Sequence, residues 1–206
     1  MMKKVRLALL VGCLSIVASL FFLTGTTSAN QKTNLLNPSY TKLNGKKVVD
    51  WKKPTAKKYV DLTNVPAKDL KIVVNQKHET VNIYKNNKLV EQFLCSTGKR
   101  TKETATPVGK FAIEPEHGTW FYNAKPDVAE GARNFVSFKD HGVYLFHSVV
   151  MNHQDNQPIM SRQGRLGHPN SHGCVQMSLP DNVYFYNTFS QPDKVGTKVV
   201  IEPFSK

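Results

Sequence analysis

Ser171-His172-Gly173-Cys174-Val175-Gln176-Met177-Ser178 is the stretch from which the rest of the chain is read. Cys174 follows a glycine directly and stands two residues after a histidine. The thiolate is the nucleophilic form of cysteine, and an unassisted thiol has a pKa of about 8.5. A neighbouring imidazole that takes its proton is what such a residue needs to react. Gly173, with no Cβ, lets the backbone turn sharply and present amide N–H groups to a developing oxyanion. A lone cysteine reads more readily as a small buried hydrophobe. Ser171, His172 and Gly173 beside it reverse that preference.

Outward from this stretch the pattern is of strands. Downstream, Ser178 reads as a helix N-cap, with Asp181 three residues on as the capping-box acid. A short aromatic-rich helix over 182–189 follows, broken by Pro192 and Gly196 before a final strand. Upstream, Tyr144-Leu145-Phe146 reads as a buried strand ending in His147-Ser148, which places a second histidine on a rigid element. Ile72-Val73-Val74, Val81-Asn82-Ile83-Tyr84 and the run 88–96 form a meander, with Asn86-Asn87 as its tight turn. Residues 107–114 and 135–138 supply further strands. Gly118-Thr119-Trp120-Phe121-Tyr122 is either core or a flap over a groove. The segment 149–170 has no period and reads as a long functional loop. The expected fold is mainly β, a sandwich or partly open barrel, with one short helix after the nucleophile.

These residues resemble the signature of the L,D-transpeptidase (YkuD-type) catalytic domain. The likeness rests on Ser171-His172-Gly173-Cys174 with strand-borne His147 upstream, on Ser96-Thr97-Gly98 with Thr106-Pro107-Val108-Gly109-Lys110-Phe111, and on Gly196-Thr197-Lys198-Val199-Val200-Ile201. It covers roughly 70–202 in the family's order. It implies an L,D-transpeptidase-type sandwich or partly open barrel acting on peptidoglycan stem peptides without a cofactor. Cys174 would attack the carbonyl that joins an L-centre to the terminal D-Ala of a donor tetrapeptide. D-Ala leaves, and an acceptor amine takes the acyl group to give a 3→3 cross-link. His147 is the expected proton acceptor and donor, His172 a support, Gly173 an oxyanion donor through its backbone, and Ser148 an orienter. Ser171, Gln176, Trp120 and Tyr122 are the expected substrate contacts. Two departures stand out. Gln176 occupies a position where the family usually has Arg or Asn, so the charge of an Arg is absent. Between His147 and Ser171 lie 23 residues, and a shorter spacing would select His153.

The ends speak to location. Lys3, Lys4 and Arg6, an apolar run over 7–23 and Thr27-Ser28-Ala29 read as a signal peptide over 1–29, or as an uncleaved anchor. The chain is then exported, to the cell wall or the membrane surface. Residues 30–69 read as a basic arm, a flexible stalk to Gly45 and then an extended segment packed on the domain at 70–206. Nine Lys against two Asp over 30–68 give a net +7, suited to anionic wall polymers. Nucleic acid is a poor partner for an exported chain, and a monomer is expected. Outside the signal only Cys95 and Cys174 remain. An oxidising compartment favours a disulfide between two such residues. The nucleophile motif instead favours free thiols, with Cys95 facing the core.

Three other readings compete. Hydrolysis of the same acyl-enzyme would make the protein an L,D-carboxypeptidase. His153, His168, His172 and Cys174 are zinc-ligand types, but Pro169 and Gly173 argue against a ligand-bearing helix, so no metal is expected. A non-catalytic wall-binding module would account for the basic arm but has no use for Cys174 beside His172 and Gly173.

Overall fold

The computed structural model describes residues 34–126, 128–152 and 165–205. Eleven strands and one α-helix occur among them: β1 (Tyr40–Leu43), β2 (Lys46–Val49), β3 (Leu70–Asn75), β4 (Thr80–Lys85), β5 (Lys88–Ser96), β6 (Gly109–Ala112), β7 (His117–Asn123), β8 (Glu130–Lys139), β9 (Tyr144–Ser148), β10 (Val175–Met177), α1 (Leu179–Phe189) and β11 (Lys198–Glu202). Nine strands form one hydrogen-bonded sheet in the order β6-β11-β3-β4-β5-β10-β9-β8-β7. The sheet curls into a half-barrel. Beyond the end of β6, Glu114 and Glu116 exchange backbone hydrogen bonds with Ser137 of β8, near the opposite edge. The fold is therefore mainly β, with one α-helix among the described residues, and its nine-stranded sheet takes the form of the partly open barrel rather than a sandwich.

Period-2 burial makes the strands. In β3, Leu70, Ile72 and Val74 are buried while Lys71, Val73 and Asn75 are half-buried. Val199 and Ile201 of β11 alternate the same way. Asn86 and Asn87, with φ of 48° and 62°, make the β4–β5 turn in the left-handed region that Asn tolerates. Helix α1 begins where Ser178 Oγ accepts the Asp181 N–H at 3.3 Å. Its Phe185 and Phe189 continue a file of rings from Phe138 and Phe146, with successive centroids 4.6–4.9 Å apart. Truncating Phe185, fully buried in that file, would cost about 3–5 kcal/mol.

The arm differs from the sequence reading in one respect. Residues 40–49 are a hairpin, not a stalk, with β1 and β2 antiparallel around Asn44 (φ 49°) and Gly45 (φ 77°). From Trp51 onward the arm packs onto the sheet. Thr55 is fully buried, its N–H and Oγ1 donating to the Asp181 carboxylate at 3.0 and 2.5 Å. Tyr59 donates to the same carboxylate at 2.8 Å and stacks on Tyr184. The signal or anchor at 1–29 and His153 lie outside the described residues. No helix among the described residues is long and apolar enough to cross a membrane.

Candidate active site

Strand β10 is three residues long, yet both its edges are paired. It runs antiparallel to β5, with Met177 opposite Cys95, and parallel to β9, with Gln176 opposite His147 and Val175 opposite Phe146. This double pairing holds Cys174, the residue just before β10, at the centre of the sheet. Phe146, Val175 and Met177 belong to the core. Strand alternation turns His147 and Gln176 to the other face.

Cys174 is half-buried, with Sγ 3.7 Å from the Val143 carbonyl oxygen. Burial pushes its thiol up to about 11, opposed by the Leu145 backbone amide, which favours the thiolate. β9 thus presents its start to the sulfur and carries His147 two residues beyond Leu145. His147 is 3% exposed, and burial holds its imidazole down to about 4. At neutral pH Cys174 is thus a thiol and His147 a neutral imidazole. His147 Nδ1 lies 2.6 Å from the Ser148 carbonyl oxygen. A carbonyl only accepts, so Nδ1 carries the proton and Nε2 holds the lone pair.

The turn before Cys174 is closed by Ser171. Its buried hydroxyl accepts the Gly173 N–H at 3.0 Å and donates to the Cys174 carbonyl oxygen at 2.5 Å. Two expectations change accordingly. The hydroxyl of Ser171 is used within the turn rather than turned to a substrate, and the Gly173 amide points at that hydroxyl rather than at an oxyanion. Glycine at 173 is still required: φ is +125°, and a Cβ there would stand 3.0 Å from the Tyr144 ring. His172, half-buried, places Nδ1 3.2 Å from Glu130 Oε1. Ser148 meets the His147 ring through its carbonyl oxygen, not its hydroxyl. Its hydroxyl is buried on the other side of β9, accepting the Arg133 N–H and donating to Val149 O.

Gln176 is 3% exposed on the His147 face. The aromatic run forms β7, the edge strand beside β8. Trp120, half-buried, packs against the Trp51, Val149, Met151 and Leu166 cluster that joins arm to sheet. The pleat puts half-buried Tyr122 on the same side. Phe121 is the ring that meets His147, with centroids 5.3 Å apart and planes at 80°. Phe121, Tyr144 and Glu130 are the site residues the sequence reading passed over. Period 2 within the run 118–122 would have separated Phe121 from Trp120. No local signal ties Glu130 to His172, 42 positions away.

Among the described residues, metal-ligand types cluster only at Glu114, Glu116 and His141, whose ligand atoms lie within 4.8 Å of one another. That group excludes Cys174, and its members already bond each other, His141 Nδ1 to Glu116 Oε1 at 2.9 Å. His168 is exposed.

The chain matches, over residues 69–201, the model of the family described as the L,D-transpeptidase catalytic domain (YkuD). A protein of Bacillus subtilis (strain 168) named "Putative L,D-transpeptidase YciB" is 35% identical over 169 residues, covering 82% of this chain and 84% of that protein. Among solved structures, an L,D-transpeptidase from Mycobacterium smegmatis matches with a TM-score of 0.51 at 17% identity, over 66% of this chain and 59% of that one. One from Mycobacterium tuberculosis H37Rv matches with a TM-score of 0.50 at 18% identity, over 66% and 58%. At these identities the two structures speak for the fold alone, and the chain spans about three fifths of their length.

Proposed function

The chain belongs to the L,D-transpeptidase catalytic domain family, and from that membership we propose that it is a cysteine-dependent acyltransferase forming 3→3 cross-links between peptidoglycan stem peptides. The observation that carries the mechanism is the His147 tautomer. With Nδ1–H donated to the Ser148 carbonyl, Nε2 is the basic nitrogen. A neutral imidazole at physiological pH is competent to accept the thiol proton as the sulfur attacks.

In the first half-reaction Sγ of Cys174 forms a bond to the donor carbonyl carbon, and the thiol proton passes to His147 Nε2. The tetrahedral oxyanion is received by the Cys174 backbone N–H, since the Gly173 amide is engaged by Ser171. Collapse breaks the C–N bond, His147 returns the proton to the leaving amine, and D-Ala departs, leaving a thioester. An acceptor side-chain amine then attacks the thioester, His147 takes its proton, and the thiol is released. Gln176 offers an amide to the substrate backbone, and Phe121 covers the His147 ring. The protein is exported by its first 29 residues. Its arm adds a basic surface for anionic wall polymers, with Lys42, Lys46 and Lys47 on the hairpin and Lys52, Lys53, Lys57 and Lys58 beyond it.

Incubation of the domain with purified disaccharide tetrapeptides, followed by intact-protein and product mass spectrometry, tests the reading. The expected result is an acyl adduct on Cys174, loss of D-Ala and dimers linked 3→3, all absent from Cys174→Ala. Monomeric tripeptide alone would make water the acceptor and the enzyme an L,D-carboxypeptidase. An adduct persisting in Cys174→Ala would overturn the nucleophile.

A further inference from the structure

Glu79 sits in the turn between β3 and β4, 3% exposed and at φ 48°, in the left-handed region that a glutamate rarely adopts. Both carboxylate oxygens bond Thr97, and the half-exposed Arg100 guanidinium stands 4.0 Å from Oε1. Oε2 accepts the Thr97 N–H at 2.6 Å, and Oε1 accepts the Thr97 hydroxyl at 2.8 Å. Its own carbonyl accepts the Cys95 N–H at 2.8 Å. Thr97 in turn holds the nucleophile loop, because its carbonyl oxygen accepts both the Asn170 and Ser171 N–H groups, at 2.8 and 3.0 Å. The Lys99 N–H closes the bridge on the Ser171 carbonyl at 3.0 Å. Ser171 therefore has its N–H, carbonyl and hydroxyl all engaged, the hydroxyl on Gly173 and Cys174.

These bonds form one line from Glu79 through Thr97 and Ser171 to the backbone of Cys174. We infer that Glu79 is a positioning residue for the nucleophile, fixing the turn 171–174 through Thr97 while touching no substrate. The reason for a carboxylate is chemical. Thr97 offers two donors side by side, and one carboxylate accepts both in charge-assisted bonds, roughly twice as strong as neutral ones. A turn that must hold Sγ in line with a carbonyl gains from such a support, since a displacement of about 1 Å is enough to cost about 10²-fold in rate.

The inference rests on Cys174 being the nucleophile proposed above, and its test has two separate readouts. The first is the rate of Cys174 acylation by a carbapenem, whose strained lactam carbonyl accepts a thiol, resolved into maximal rate and half-saturating concentration. The second is hydrogen exchange at the Asn170, Ser171 and Gly173 amides, which needs no substrate. Glu79→Ala is expected to lower the maximal rate about 10–100-fold, with half-saturation changed less than about threefold, and to speed exchange at those amides about tenfold or more. Glu79→Gln keeps an acceptor for the Thr97 N–H and a donor for its hydroxyl oxygen, so it should restore the rate to within about fivefold. Because the two act in series, Glu79→Ala with Ser171→Ala should be no slower than the slower single variant. If Glu79→Ala does not fold, Thr97→Val, which removes one of the two carboxylate bonds, is expected to slow acylation about 3–10-fold with the same exchange signature. A folded Glu79→Ala with wild-type rate and exchange, multiplicative effects in the double variant, or a wild-type Thr97→Val would overturn the inference. A wild-type protein that never acylates, with exchange still accelerated in Glu79→Ala, would instead remove the proposed function and leave the positioning link standing.

Discussion

His147 donates its Nδ1–H to the carbonyl oxygen of the very next residue, Ser148, at 2.6 Å. A backbone carbonyl cannot be protonated or swung away, so the tautomer is set by the strand itself. In many catalytic pairs a carboxylate fills that role and raises the basicity of the imidazole. Here burial dominates and the imidazole is held down to about 4.

The acid limb of acylation should therefore lie near pH 4, well below the value of about 6.5 for a free imidazole. His147 stays neutral, and able to accept a proton, as pH falls through 6 and 5. His147→Ala should lower acylation by roughly 10²–10⁴-fold and remove that limb, whereas His153→Ala should change the rate less than about tenfold. Acylation rates of the three proteins between pH 3.5 and 8 decide the matter. An acid limb at about 6.5, or the reverse ranking of the two variants, would place the base elsewhere.

Cys95 tests the reading of two free thiols. It is fully buried, pairs with Met177 in the ladder, and burial raises its thiol well above the usual range. In protein lacking residues 1–29 and purified without reductant, a thiol reagent should find two thiols per chain after denaturation and only Cys174 in the native state. Cys95→Ala should cost about 1–2 kcal/mol and leave the acylation rate within about twofold. No free thiol, with activity appearing only on reduction, would show a redox-gated enzyme instead.

What the sequence made legible is local. The alternation in Leu70, Ile72 and Val74 and the Ser178–Asp181 cap each lie within one element, and the structure keeps them. The Asn44-Gly45 hairpin was equally local, but Lys and Thr fill half of its strand positions and its apolar residues do not alternate, so no period-2 pattern advertised it. Contacts that close over long separations left no trace in the pattern. Glu130 meets His172 across 42 positions, Glu79 meets Thr97 across 18, and Thr55 meets Asp181 across 126. Strand β10 was hidden for another reason: three residues have no period, and pairing on both edges makes them a strand.

Asp181 shows how much more than a helix cap such a residue becomes. It is fully buried and accepts from the Thr55 N–H and hydroxyl, the Tyr59 hydroxyl and the Ser178 hydroxyl. Asp181→Asn leaves one oxygen where two accepted and turns an N–H₂ toward donors. The expected loss is about 2–4 kcal/mol, or about 5–15 °C in Tm at this chain length. The arm should loosen first, so trypsin should cut after Lys52, Lys57 and Lys58 sooner than in the wild-type protein. Unchanged melting and unchanged cleavage would mean that the arm is held by its apolar contacts alone.

Glu91, buried where the Val60 N–H of the arm donates to it, makes the stability of the fold depend on pH. It is 1% exposed, and burial pushes its carboxyl up to about 7, with the Asp181 charge adding to that and the Gln92 and Val60 N–H groups opposing it. A folded-state value above the unfolded one means that the native state holds the proton more tightly. The stabilising contribution is complete below about 4.5 and is lost as pH rises through about 7. Glu91→Gln carries no such proton, so its Tm relative to wild type should climb by the equivalent of about 1–3 kcal/mol between pH 5 and pH 8. His147 works in the other direction, destabilising the fold as pH falls from about 6.5 through about 4. Both proteins contain His147, so its contribution cancels in the difference. Melting curves of the pair at half-unit steps of pH are the measurement. A difference that stays flat or shrinks as pH rises would mean that Glu91 keeps its charge in the folded protein, with water or a lysine reaching it.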